Sequence, residues 1–303
     1  MKNQRSFFSS FAKIGWYTVI ISGILITLIP MIWMLVSSLR SNPSIWGSAF
    51  PISFKAFIPT PFTIEPYIQI FHKGFGRAFF NTALVASLTI FFGIIITSMS
   101  GFVFARMDFP GKAFIFVIVL VSSMIPFEAI AIPLFITIQE LNWIDSYQAL
   151  IVPGVAHGIC IILFRQFYKG IPTSFVESAK IDGASWFQIY YKIFLPISKV
   201  AIISAGLFLF IFQWLSFLWP LIANPSPEYH VIQVAISRFA MEHGVYWNEQ
   251  FAAAFISTII PALIIIKLQK FYVFSSKNLT IFSPYPFPLN LDITCKNPNA
   301  PSS

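Results

Sequence analysis

Six long apolar runs, separated by short polar stretches, decide what this chain can fold into. About 20 consecutive apolar residues carry a helix across the hydrocarbon of a bilayer, and in lipid every backbone N–H and C=O must find its partner within the segment. The runs cover residues 16–38, 79–104, 113–138, 147–164, 197–222 and 251–267. Together they predict an all-α integral membrane protein with six transmembrane helices. Only 10% of the residues are charged and 57% are hydrophobic, whereas soluble domains carry about 25% charged residues.

Charge then orients the chain. Six spans put both termini on one side. All of the 19 basic residues except Arg40, Lys55, Lys73, Arg77 and Arg238 fall on that side, so the positive-inside rule places both termini in the cytosol. Because the cations sit at the ends of apolar runs and not on one amphipathic face, the net charge of +8 indicates membrane orientation and no nucleic-acid partner. The first 15 residues are basic and the first run lacks a small-residue cleavage site, which reads as a retained helix. Residues 39–78, rich in proline and aromatics, form an irregular external loop with a short amphipathic helix near Tyr67 and Phe71. Residues 79–273 make a core of five spans, and 274–303 a polar, proline-bearing cytosolic tail.

Within the core, residues 171–196 (IPTSFVESAKIDGASWFQIYYKIFLP) cannot lie in a bilayer, because Glu177, Lys180, Asp182 and Lys192 interrupt them. Ser174 and Glu177 have capping-box spacing, and so do Ser185 and Gln188. Between the two, Asp182-Gly183 reads as a helix stop, since glycine enters the left-handed region without steric cost. The stretch therefore predicts helix, glycine hinge and helix, with Leu195-Pro196 returning the chain to the membrane.

Chemistry-bearing motifs are missing. No GxxxxGK[ST] phosphate loop, HExxH or GxSxG occurs, His72, His157, His230 and His243 are dispersed, and Cys160 and Cys295 have no metal-ligand spacing. The chain is expected to be non-catalytic and to need no cofactor, so any nucleotide motor must be another chain. Glu128, the one acid in a span, invites a relay or solute role; with no basic partner nearby it makes a poor relay, and a break at Pro126 that leaves it near the external interface explains it better. Gln213 and Trp214 could line a path for a polyhydroxylated solute, an amide and an indole suiting a sugar, with interhelical hydrogen bonding as the competing reading. His157 is expected to be structural, and Gly154 and Gly158 to allow close helix packing.

Glu177-Ser178-Ala179, then Asp182-Gly183-Ala184-Ser185, then Ile193, Leu195 and Pro196 resemble the EAA loop of permease subunits in binding-protein-dependent ABC importers, and most of all the carbohydrate branch. Supporting segments are 106–112, Ile132-Pro133-Leu134-Phe135, Arg165-Gln166-Phe167-Tyr168, 217–221 and 268–270. The resemblance implies a type I importer permease whose loop docks in a cytosolic ATPase subunit, with Glu177 at the contact and Gly183 at the bend. It also implies a second related permease and an extracytoplasmic solute-binding protein as partners, with lipid around the spans. Three departures stand out: Ser178 replaces the usual alanine, Leu215 follows Trp214 where asparagine is common, and the chain continues after Val273 without the usual short ending. Alternatives are a permease for glycerol 3-phosphate or a polyol, or a secondary transporter, although no paired intramembrane ions or inverted repeats are visible.

Overall fold

The computed structural model describes residues 2–49, 54–242 and 246–279, and the side chains of 15–47, 54–238 and 246–269. Every regular element is helical: α1 (Lys2–Ser38), α2 (Asn42–Ala49), α3 (Glu65–His72), α4 (Phe75–Arg106), α5 (Lys112–Met124), α6 (Phe127–Glu140), α7 (Tyr147–Val155), α8 (Gly158–Lys169), α9 (Ser174–Ile181), α10 (Trp186–Ile189), α11 (Leu195–Ile197), α12 (Lys199–Trp214), α13 (Leu218–Ala223), α14 (Ile232–Glu242) and α15 (Trp247–Leu279). A π turn, Tyr190–Phe194, joins α10 to α11.

Four stretches are long and apolar enough to cross a membrane unaided: Gly15–Ser38, Phe75–Arg106, Tyr147–Lys169 and Trp247–Gln269. Two more spans are bent. The third run does not continue straight from 113 to 138, because Pro126 ends α5 and the chain turns by 103° into α6. At 13 residues α5 is about 20 Å long, short of the roughly 30 Å hydrocarbon. The fifth run is likewise shorter than 197–222: it follows an 80° bend, starts at Lys199 and stops at Trp214. Leu215 caps that end, its N–H donating to the Ile211 carbonyl, and Pro220 lies within the short helix that follows. Some ends also differ from the pattern read off the sequence. Helix α1 is regular from Lys2, α4 starts at Phe75, and α15 runs through Leu279, so residues 274–279 are helical; 280–303 lie outside the described residues.

Helix α4 is the axis, with α7, α8, α12 and α14 packed around it. Glycine sets how near they come. A Cβ on Gly101 would lie 2.5 Å from Phe164 Cβ and 2.9 Å from Arg165 N, so α4 and α8 cross with backbones nearly touching. At the end remote from residues 171–196, polar groups lock the helices. Asn81 donates to the carbonyls of Glu228 (2.9 Å) and His230 (3.0 Å) and accepts from Tyr147 Oη (2.8 Å), and Lys73 pairs with the buried carboxylate of Glu249 at 2.5 Å.

Candidate functional site: a two-helix finger

Residues 171–196 form two short helices joined at a sharp bend. The first begins one residue earlier than the Ser174/Glu177 spacing suggests. Pro172 opens the turn, its carbonyl accepting from Phe175 N–H at 3.4 Å, and Thr173 becomes the cap residue, its carbonyl accepting from Val176 N–H (2.8 Å) and Glu177 N–H (3.1 Å). Ser174 is thus already helical, and no side-chain capping box forms there. Freed from that role, the Glu177 carboxylate is exposed and makes no hydrogen bond or ion pair with any described residue.

The bend follows from Gly183. Its φ is +76°, inside the left-handed region that disfavours side chains. Gly183 N–H donates to the Lys180 carbonyl at 3.0 Å and Ala184 N–H to the Ala179 carbonyl at 2.9 Å, the two bonds of a Schellman motif. Ala179 is buried and Ala184 packs on the same cluster, which supplies the apolar contact that accompanies the motif. Asp182 is the cap residue and its side chain is exposed. Across the bend, Lys180 Nζ lies 4.0 Å from the centre of the Trp186 ring.

The second helix carries the capping box its spacing predicts: Gln188 N–H donates to Ser185 Oγ at 3.3 Å, and Ser185 N–H to Gln188 Oε1 at 2.8 Å. Near its end Pro196 has no N–H to donate and its ring would press on the Lys192 carbonyl. The chain meets this by widening into the π turn, in which Leu195 N–H reaches back to the Tyr190 carbonyl. Leu195 is half-buried and Pro196 exposed.

Several groups that hold the finger escaped the sequence reading. Phe102 on α4 is its socket: the rings of Trp186, Tyr190 and Phe194 stand 6.2, 5.5 and 5.0 Å from it, with Tyr168 of α8 at 6.1 Å. Tyr190 Oη shares a 2.8 Å hydrogen bond with Ser98 of α4. Arg106, the last residue of α4, donates to the carbonyls of Tyr168 and Ile171 and lies over the Phe194 ring, tying α4 to both ends of the stretch. Arg106 follows a span and shares a side with residues 171–196, which was a signal for proximity though not for partner.

The result is a braced projection with a polar and apolar outer face. Ala179, Ile189, Tyr190 and Phe194 point into the bundle. Outward stand Glu177, Ser178, Asp182 and Gly183, beside Phe175, Ile181, Phe187 and Tyr191, which are 46%, 87%, 63% and 60% exposed. Such a surface suits a protein partner that takes both a carboxylate and apolar side chains.

The other singled-out residues form no single cluster, although Gly154 packs beside the Gln213 amide. Glu128 is exposed in the first turn of α6, just past the Pro126 break. Gln213 Nε2 donates to the Leu150 carbonyl at 3.1 Å and Trp214 Nε1 to the Ser257 carbonyl at 2.9 Å, so the amide nitrogen and the indole N–H are engaged between helices. His157 sits at the α7–α8 junction with Phe208 and Phe212 each 4.8 Å away. Gly154 and Gly158 serve different neighbours: a Cβ would meet Thr89 of α4 at 3.1 Å in the first case and Ser123 of α5 at 2.9 Å in the second. Among the described residues no group of histidine, cysteine or acidic side chains is placed to hold a metal ion.

Comparison with known proteins agrees with this geometry. Residues 89–274 match the family described as "Binding-protein-dependent transport system inner membrane component". The arabinooligosaccharides transport system permease protein AraQ of Halalkalibacterium halodurans is 26% identical over 82% of this chain and 88% of its own length. The sn-glycerol-3-phosphate transport system permease protein UgpE of Brucella melitensis is 30% identical over 85% and 93%. A crystal structure of a bacterial ABC transporter that imports the acidic polysaccharide alginate has the same fold, with a TM-score of 0.74 and 22% identity over 87% of this chain and 97% of that one. A helical multi-pass bundle with a braced two-helix finger, matched from mid-α4 into α15, therefore belongs to the binding-protein-dependent inner membrane components, the non-catalytic permease subunits of ABC importers.

Proposed function

We propose that this permease carries a sugar or oligosaccharide into the cytosol, and that residues 171–196 are the point at which a separate ATPase subunit drives it. The observation that carries the proposal is the finger itself. A projection can transmit the closing of a partner only if it does not fray, and this one is held by a Schellman motif, a capping box, the Phe102 socket and Arg106. Its outer face leaves Glu177 unpaired and Ile181 and Phe187 exposed for that partner. Rigid-body movement of the finger then swings α4, α8 and α12, on which it is seated, and opens the path alternately to either side.

The finger and both termini face the cytosol in this reading, which the excess of basic residues on that side supports. A second, related permease completes the path, and a solute-binding protein delivers the solute from outside. In support, a second structure of the alginate transporter holds an alginate pentasaccharide-bound periplasmic protein. For the solute, the arabinooligosaccharide and alginate transporters among the similar proteins favour a saccharide. Glycerol 3-phosphate is the second reading, favoured by UgpE at 30% identity.

The test is solute-stimulated ATP hydrolysis by the complex reconstituted with its ATPase, second permease and solute-binding protein. Stimulation by an arabinooligosaccharide or a uronic-acid oligosaccharide supports the saccharide reading. Stimulation by glycerol 3-phosphate alone would replace it with the second.

A further inference from the structure

Beside the finger, α5 and α8 present cations in register. Lys112 and Phe116 stand four residues apart on α5, and Arg165 and Lys169 four apart on α8, so each pair shares a helix face. The faces meet: the Arg165 guanidinium lies over the Phe116 ring, its Cζ 3.8 Å from the centroid. Lys169 is close enough to feel the positive charges of both Arg165 and Lys112.

Such a cluster repels itself, because like charges at i and i+4 destabilise a helix. Local compensation is slight. Asp108 Oδ1 accepts from Lys112 Nζ at 3.0 Å, but its side chain is 99% exposed, and Lys112 also donates to the Met107 carbonyl at 2.6 Å. Arg165 and Lys169 have no hydrogen bond or ion pair among the described residues, and Arg165 Nε is buried without an acceptor.

The setting indicates what would complete the cluster. Lys169 ends the candidate span Tyr147–Lys169 and Lys112 begins the bent span, so the cations lie at a membrane boundary. Directly beyond them α5 buries none of its residues, and Phe114, Val117, Ile118 and Val121 are exposed along it. An arginine stacked on an aromatic ring keeps its donor edge free for bidentate recognition of a phosphate.

We propose that Lys112, Arg165 and Lys169 bind the phosphate of an anionic lipid in the leaflet on the finger's side, with the acyl chains lying along α5. The lipid neutralises the α8 pair and covers an apolar helix with little protein packing of its own. Basic sites between spans at a boundary are suited to such headgroups. The site depends on neither the solute nor the ATPase contact.

The test is native mass spectrometry of the full-length chain released from micelles holding equal amounts of phosphatidylglycerol and phosphatidylcholine. Wild type should retain phosphatidylglycerol preferentially. Lys169→Gln and Arg165→Gln should each lower that retention about fivefold, the effect of one cation near an anionic headgroup. Arg165→Lys, which keeps the charge but loses the planar fork, should restore only part of it, and Lys199→Gln, an exposed cation at the same end outside the cluster, should change nothing. Lys169 is exposed, so its variant tests the site without endangering the fold. No preference in wild type, or equal retention by Lys169→Gln, overturns the proposal. So would displacement of the lipid by millimolar inorganic phosphate, which would assign the cations to a free anion, or its loss on adding the ATPase subunit, which would assign them to that interface.

Discussion

Replacing Gly183 tests whether the finger works through its backbone shape. An added Cβ would find no heavy atom within 4 Å, so alanine meets no steric obstacle there and pays only for its backbone conformation. At φ +76° that cost is about 1–2 kcal/mol for alanine. The unfolded chain loses freedom as well, which returns about 0.4–1 kcal/mol, leaving a net destabilisation near 1 kcal/mol. Asparagine visits the left-handed region more readily and should lose less, while valine should lose more. If ATPase affinity scales with the fraction of fingers correctly bent, Gly183→Ala should weaken binding by up to about fivefold. The expected order is Gly, Asn, Ala, Val. Binding of the purified permease to its ATPase, by biolayer interferometry, reads this out, with hydrogen exchange at Ala184 N–H reporting the Schellman bond to Ala179. The order discriminates because asparagine is larger than alanine. If alanine binds better than asparagine, side-chain crowding at the contact governs the site and the backbone argument fails.

Other substitutions probe how the finger is held. Phe102→Ala empties the aromatic socket; a buried Phe→Ala costs about 3–5 kcal/mol, and it should lower the Tm and expose Tyr190 and Phe194 to hydrogen exchange. Gly101→Ala should cost about 1–3 kcal/mol despite adding one methyl, since the obstacle at 2.9 Å is backbone; a Tm within a degree of wild type would show that α4 and α8 can separate. Arg106→Met keeps the stem but leaves the Tyr168 and Ile171 carbonyls without their donor, for a loss of about 2–3 kcal/mol and faster proteolysis near Ile171.

Those residues mark what could be read from the chain alone. Gly183 and the Ser185/Gln188 box were legible because the cause is local: a left-handed turn needs glycine, and a capping box needs only its own four residues. The Ser174/Glu177 spacing is equally regular, yet Pro172 moves the helix start by one residue and makes Thr173 the cap. Pro126 announces a break, but local residue chemistry does not fix the 103° angle of the turn. The Phe102 socket and the tight crossing at Gly101 had no signature, and the Arg106 tie had one for its side of the membrane but none for its partners, since each requires groups some 60 to 90 residues away and nothing nearby in sequence sets those pairings. Gln213 and Trp214 show the reverse case. Their chemistry suits a sugar, while their geometry serves the Leu150 and Ser257 carbonyls.

The most direct test of coupling is the rate of ATP-driven solute uptake into proteoliposomes by the complete complex carrying Glu177→Lys. The exposed Glu177 carboxylate makes no hydrogen bond or ion pair with any described residue, so reversing its charge should shift the permease's Tm little and act chiefly on a partner. Uptake should fall at least tenfold with little change in Tm. Uptake at the wild-type rate would contradict a drive transmitted through this face of the finger.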